Sequence, residues 1–113
     1  MELYKQYLKE IGDIDLVVED SYFFTYQIQD NSVYLENVFI KKELRNNKKV
    51  QEILERVYKI CREYKKPYTT STVCKNANKE VISRSSYILK RNGFIEFDED
   101  DNMIYFSKEI NNG

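Results

Sequence analysis

Hydrophobic residues recur along this chain at two periods, one typical of helices and one typical of strands. The first stretch, MELYKQYLKEI, has its apolar residues at helical spacing, and Gly12 follows as a stop signal. DIDLVVED predicts a short strand. SYFFTYQIQ predicts a longer strand whose apolar face comprises Tyr22, Phe24, Tyr26 and Ile28. After the turn signal DNS, the segment VYLENVFI predicts the second strand of an antiparallel hairpin.

The second half of the chain alternates helices with strands. Asn46 or Asn47 can cap a helix whose apolar stripe comprises Val50, Ile53, Leu54, Val57, Tyr58, Cys61 and Tyr64. YTTSTV predicts a strand. Asn76 or Asn78 then opens another helix, which ends before Gly93 and has an apolar face made of Val81, Ile82, Ser85, Ile88 and Leu89. FIEF and MIYFSK predict a last strand pair around the acidic turn DEDDN. This order indicates an α/β (α+β) fold, with a mixed sheet flanked by helices.

Composition narrows the class of protein. With 113 residues, 42% hydrophobic and 33% charged, residues 1–113 are expected to form one globular domain. A net charge of −1 gives no bulk attraction to nucleic acid or membranes. Two cysteines and no apolar signal segment predict reduced thiols in a cytoplasmic protein. Cys74, at the end of a predicted strand, is expected to be a core thiol, and a role as a nucleophile is left open. The sequence has no His, which excludes His-based metal sites and catalytic triads.

Five basic residues stand around the start of the second predicted helix, namely Lys41, Lys42, Arg45, Lys48 and Lys49. A helix N-terminus is already positive because of the helix dipole, so additional positive charge there indicates a bound anion. Two alternatives remain open at this point. The cluster can be a solvated or partner-facing charge patch, or it can contact nucleic acid, although the net charge of the chain argues against the latter.

Two motifs in this chain resemble those of a known family. The segment FIKKELRNNKKVQEIL is similar to a strand ending in V-x-P-E-x-R, followed by a loop R/Q-x-x-G-x-G/A and a helix. Ile40, Glu43 and Arg45 fit the strand end, and Lys48 and Val50 stand at the loop's two glycine positions. Further on, a helix ending S-x-x-[VI]-L-x-[KR]-x-G-F is matched by Ser85, Ile88, Leu89, Arg91, Gly93 and Phe94. Over residues 21–108 the chain resembles the GNAT superfamily of acetyl-CoA-dependent N-acetyltransferases, with an abbreviated N-terminal region.

The resemblance implies a cofactor and a set of site residues. In that family the loop amides bind the pyrophosphate of coenzyme A, and the preceding strand separates from its neighbour around the pantetheine arm. It implies a twisted sheet and an acetyl-CoA site formed by Phe39, Ile40, Arg45, Asn46, Asn47, Lys48, Lys49 and Val50. Glu36 is the candidate general base. Leu89 stands where many members have a catalytic Tyr, and Tyr87 is expected to face elsewhere on the helix.

Two hypotheses about function follow. The first is an N-acyltransferase that transfers an acetyl group to an amine of a protein or a small molecule. The second is a catalytically inactive GNAT-fold binding module that blocks another protein, of a kind found in phage or mobile elements. The Lys-, Asn- and Tyr-rich composition suits an AT-rich genome of that sort. Neither hypothesis involves a membrane, and a homodimer is left open.

Overall fold

The computed structural model describes residues 2–110. It contains α1 (Glu2–Gly12), β1 (Ile14–Val18), β2 (Tyr22–Ile28), β3 (Ser32–Ile40), α2 (Asn47–Glu63), β4 (Tyr68–Cys74), α3 (Lys79–Arg91), β5 (Ile95–Glu99) and β6 (Met103–Glu109). A 3-10 turn, Lys42–Leu44, lies between β3 and α2. Each element predicted from the sequence pattern is present. Within residues 2–110 no helix is long and apolar enough to cross a membrane.

The six strands form one mixed sheet in the order β1-β2-β3-β4-β6-β5. Every neighbouring pair is antiparallel except β3 and β4, which are parallel. Parallel neighbours need a crossover connection, and α2 supplies it. The single parallel pair therefore lies in the middle of the sheet, where the chain passes from β3 through α2 to β4.

The main core lies between one face of the sheet and helices α2 and α3. Its buried side chains come from α2 and the four strands β2, β3, β4 and β6, and include Phe24, Val33, Leu35, Ile53, Val57, Cys61, Val73 and Phe106. Ile82 and Leu89 of α3 pack against this core while staying partly exposed. The predicted α2 stripe is confirmed except at Tyr64, which is 54% exposed. Tyr64 is the C-cap of α2, and the chain turns away at Lys65, whose φ is 56°.

Helix α1 lies on the opposite face of the sheet, against β1. Leu8 and Leu16 are buried there, separately from the main core. The side chain of Gln27 donates a hydrogen bond to the carbonyl of Gly12. Gly12 is the last helical residue, so the sequence placed the stop one residue early. The turn itself is made by Asp13, with φ at 56°, which Asp tolerates better than most residues.

Candidate cofactor cleft

Strands β3 and β4 are held together tightly over their first halves. Backbone pairing runs from Ser32 opposite Tyr68 to Leu35 opposite Ser71. Two buried side chains add hydrogen bonds across the pair. Thr69 Oγ1 donates to the Val33 carbonyl at 3.0 Å, and Ser71 Oγ donates to the Leu35 carbonyl at 3.0 Å. This end of the parallel pair is therefore closed.

Beyond Leu35 the two strands separate. β3 continues to Ile40 beside β2, while β4 continues to Cys74 beside β6, and no pairing joins them. The separation begins at a β-bulge, because Leu35 and Asn37 pair with adjacent residues of β2 and leave Glu36 as the extra residue. A bulge bends its strand and disrupts the ladder locally. The result is a wedge-shaped gap in the middle of the sheet, with exposed Glu36 at its narrow end.

The backbone of β3 points into this gap at two residues. Lys41 N–H donates to the Ser21 carbonyl at 2.8 Å. Lys41 and Ser21 are therefore a hydrogen-bonded pair at the end of the β2–β3 ladder. Such pairs alternate with non-bonded ones, so the N–H and C=O groups of Val38 and Ile40 point away from β2. The Ile40 carbonyl accepts from Arg45 Nε at 2.8 Å. The Ile40 N–H and both backbone groups of Val38 are therefore directed at the gap.

The open end of the gap leads to the N-terminus of α2. Asn46 is the N-cap, and its side chain accepts from the Lys49 N–H at 3.0 Å. The Asn47 and Lys48 N–H groups precede the first intrahelical hydrogen bond, and no acceptor pairs with either within residues 2–110. Two backbone donors and the positive end of a 17-residue helix thus face the cleft. Of the two capping residues that the sequence allowed, the structure uses Asn46.

The five basic residues of this region divide into two groups. Arg45 lies over the Phe39 ring at 5.1 Å while bonding the Ile40 carbonyl, and Lys49 pairs with Glu52 at 3.5 Å. The others, Lys41, Lys42 and Lys48, are exposed and take part in none of the ion pairs among residues 2–110. Arg45 and Lys49 thus contribute to local structure, whereas the remaining charges keep the loop positive.

The remaining predicted cofactor residues, Phe39, Ile40 and Val50, differ in exposure. Ile40 is buried in the core, and Phe39 is 50% exposed on the opposite sheet face. Val50 lies in the first turn of α2 and packs partly buried against the core. Sequence reasoning missed Val38, whose backbone faces the gap. The polar pair Glu36-Asn37 inside an apolar strand was the available signal, since such an interruption is typical of a bulge.

The tyrosine position of the family and the two thiols complete the description. Leu89 packs partly buried against the core, and Tyr87 is 60% exposed, so it faces away as predicted.

Both cysteines are free. Cys61 is buried, and this burial raises the pKa of its thiol to about 11. The prediction for Cys74 was wrong. It is exposed because it follows the last β4 residue on the core face, Val73, on the opposite side of the strand.

Comparison with known proteins identifies the architecture. No protein-family model and no curated protein sequence matches the chain. Solved structures do. The PaiA N-acetyltransferase of Thermoplasma acidophilum in complex with coenzyme A is similar at a TM-score of 0.74 and 19% identity, over 96% of this chain and 69% of that one. A GNAT family acetyltransferase of Elizabethkingia anophelis with acetyl-CoA bound is similar at a TM-score of 0.69 and 14% identity, over 96% of this chain and 82% of that one.

A third similar structure is a ribosomal-protein acetyltransferase. The ribosomal-protein-S18-alanine N-acetyltransferase of Escherichia coli is similar at a TM-score of 0.67 and 12% identity, over 94% of this chain and 76% of that one. Identities this low establish architecture and leave the chemistry open. The fold predicted from the two motifs is confirmed: the chain has the fold of the GNAT acetyltransferases.

Proposed function

We propose that this chain is an acyl-CoA-dependent N-acyltransferase that binds acetyl-CoA in the cleft between β3 and β4. The observation that carries the proposal is the gap beyond Leu35 and Ser71, with the free backbone of Val38 on one side and the α2 N-terminus at its mouth. An extended ligand with amide groups along its length suits an unpaired strand edge. A pyrophosphate suits the free Asn47 and Lys48 N–H groups.

The N-terminus of α2 can bind the phosphates of such a cofactor, although it has one free backbone N–H fewer than a helix without a side-chain cap. Asn46 already occupies the Lys49 N–H, so the phosphates have two backbone donors rather than three. The exposed ammonium of Lys48 and the two lysines of the preceding turn compensate, because they add positive charge at the same place. Two of the similar structures contain coenzyme A or acetyl-CoA, which supports this class of ligand.

In this proposal the chain's own residues mainly position the reactants. Acetyl-CoA, when bound, supplies an acetyl thioester that an amine can attack. The Val38 backbone and the α2 N-terminus hold the ligand in one orientation, and orientation of this kind can account for a large part of an enzymatic rate. Glu36 accepts the proton that the amine nitrogen loses, directly or through water. Its carboxylate suits this role because it is exposed and takes part in no ion pair among residues 2–110.

A specific observation favours a second candidate, a GNAT-fold module that binds a protein and has no activity. Leu89 stands at the family's tyrosine position and packs on the core, so no phenol from α3 is available as an acid there. Asn46 also blocks one amide of the anion site. Under this candidate the positive loop contacts a protein partner rather than a phosphate.

Calorimetric titration with acetyl-CoA and with free coenzyme A tests the proposal. We expect micromolar binding that weakens at least about tenfold in Lys48→Glu, since a carboxylate at the helix start repels phosphate. Lys59→Glu is the matched control, because it makes the same charge change on an exposed part of the same helix. An unchanged affinity in Lys59→Glu would assign the loss to the cleft rather than to net charge.

Activity separates the two candidates. With binding established, release of free thiol from acetyl-CoA in the presence of amine-bearing peptides or polyamines should depend on Glu36. A Glu36→Gln variant should bind acetyl-CoA normally and lose rate, most strongly at low pH where the amine is fully protonated. No heat with millimolar acetyl-CoA would reject the enzyme and leave the binding module.

A further inference from the structure

Half of one sheet face is uncovered. Helices α2 and α3 pack on the core face, and α1 packs on the other face over β1. That second face stays open across β3, β4, β6 and β5. We call it the bare half-face. Its apolar and aromatic members are Tyr34, Phe39, Tyr68, Met103, Tyr105, Ile95 and Phe97, and its polar or small members are Asn37, Thr70, Thr72, Cys74, Asp98, Ser107 and Glu109.

The bare half-face exposes several large apolar side chains. Ile95, Phe97, Phe39 and Tyr68 are 70%, 58%, 50% and 41% exposed. At about 200 Å² for each large side chain, these four together expose about 450 Å². In two such faces these four residues of each copy would bury about 900 Å², and the partly exposed members and α1 add to this area toward the roughly 1,200 Å² of the smaller stable interfaces.

Charges at one end of the bare half-face are arranged as complementary halves. β3, β4 and β5 all run in the same direction, so the basic turn after β3 and the acidic turn after β5 lie at the same end of the sheet. Arg45 stands over Phe39 on the β3 side. Asp98 and Asp101 are exposed on the β5 side, with two paired strands between the groups. A two-fold axis parallel to the strands, between β4 and β6, places each basic turn against the acidic turn of a second copy.

We propose that two copies of this chain associate face to face through their bare half-faces. Two sheets pack about 10 Å apart with roughly aligned strands, and a helix on a sheet occupies a similar layer. Each α1 therefore stands beside the edge strand of the partner's sheet. This position covers the α1 residues Leu3, Tyr7 and Ile11, which form one helical row and are 82%, 54% and 55% exposed.

Association through the edge of β5 is less favourable than association through the face. All five β5 residues are exposed, but Glu96, Asp98 and Glu99 would bring like charges together in a β5–β5 pair. Asp98 Oδ1 also accepts the Glu99 N–H at 2.9 Å, which removes a donor from the free edge. The bulge at Phe97 interrupts the edge further. Edge pairing is thus opposed by three separate features.

Sedimentation equilibrium over a range of protein concentrations tests this proposal without any ligand. We expect a dimer of twice the 13.6 kDa of one copy. Phe97→Asp should raise the dissociation constant about 100-fold or more, because each dimer loses two aromatic contacts and gains two buried charges. Phe97 is exposed in the single chain, so the variant should fold, which circular dichroism can verify. Tyr87→Asp is the matched control on α3 and should leave the dissociation constant unchanged.

A charge exchange tests the orientation. Arg45→Glu and Asp98→Lys should each weaken self-association, since each creates two like-charge contacts in the symmetric dimer. An equimolar mixture of the two variants should restore it, because both contacts of the mixed dimer then join opposite charges. A wild-type protein that stays at 13.6 kDa at every concentration overturns the proposal. A dimer that is insensitive to Phe97→Asp, or a mixture that stays monomeric, overturns the assigned face or the assigned axis.

Discussion

Residues 32–35 of β3 pair with a strand on each side, whereas residues 36–40 of the same strand pair with β2 alone. The first segment is buried except at Tyr34, and side chains of β4 reinforce it through Thr69 and Ser71. The second segment is exposed at every residue but Ile40. Its backbone groups at Val38 point into an open gap. One continuous strand therefore consists of a stabilising half and a half available for a ligand.

The difference shows how a stable fold can contain an unpaired strand edge in the middle of a sheet. Unpaired backbone groups are costly only when they are buried away from water. The bulge at Glu36 places the separation where the strand becomes exposed, so the open half stays solvated. Substitutions of β3 residues before Glu36 should therefore affect stability, and substitutions after it should affect binding, except at Ile40, which is buried in the core.

The largest predicted effect breaks the stabilising half. Leu35→Ala should lower the free energy of unfolding by about 2–5 kcal/mol, because Leu35 is 3% exposed and the truncation leaves a cavity under α2. Val38→Ala, two positions beyond the bulge, should cost less than about 1 kcal/mol, because Val38 is 45% exposed. Urea unfolding of both variants measures the difference. Equal losses would mean that the two halves of β3 are not energetically distinct.

Much of this fold could be predicted from local pattern. The α2 stripe at helical spacing and the alternation in SYFFTYQIQ each define one apolar face. In the structure these faces pack against the core. The two ends of α3 were also predictable from the sequence. Asn78 caps its start by accepting the Val81 N–H, and Gly93 follows its end with φ at 91°. These features depend on a few neighbouring residues, so a single sequence contains them.

The site was less predictable because it depends on how distant segments meet. Sequence placed the basic loop at the helix start but did not locate the bulge or the residue at which β3 leaves β4. It expected Cys74 in the core, since a β-branched strand such as YTTSTV does not reveal which face is covered. The bare half-face was missed for the same reason. Coverage depends on where α1 packs, and α1 covers only the β1 side.

The second-largest effect predicted on the free energy of unfolding appears between pH 9 and 11. It comes from Cys61 of α2, which contacts β4 beside residues 32–35 of β3. Cys61 is buried, and its Sγ donates to the Tyr68 carbonyl at the start of β4. Burial raises its pKa from 9.0 to about 11, so the folded state retains a proton that the unfolded state loses. Stability from this group is complete below pH 9 and falls as the pH rises to 11, by roughly 2–3 kcal/mol in all.

Removal of each thiol isolates this contribution from the other groups that titrate at high pH. Cys61→Ala should lower stability at every pH but show a shallower decline between pH 9 and 11 than the wild type. Cys74→Ala should decline as the wild type does, because Cys74 is exposed at the separated end of β4. Urea unfolding at pH 8 and pH 10.5 provides the comparison. A wild-type slope in Cys61→Ala would mean that its thiol ionises freely in the folded protein.

The smallest predicted effect on stability is that of replacing the capping residues of α2 and α3 by Asp. Asn46 and Asn78 cap α2 and α3 through the same kind of hydrogen bond, since each side chain accepts the backbone N–H of the residue three positions on, at 3.0 and 2.9 Å. Asn46→Asp and Asn78→Asp should each change the free energy of unfolding by only a few tenths of a kcal/mol, since Asp caps about as well as Asn.

Their effects on ligand binding should differ, because only the α2 N-terminus stands at the end of the unpaired half of β3. A carboxylate in place of Asn46 would lie beside the free N–H groups of Asn47 and Lys48, where the proposed pyrophosphate binds. Calorimetry with coenzyme A should therefore show at least about tenfold weaker binding for Asn46→Asp. Asn78→Asp should change the affinity by much less. Equal weakening in both variants would indicate long-range charge repulsion and would argue against a phosphate site at α2.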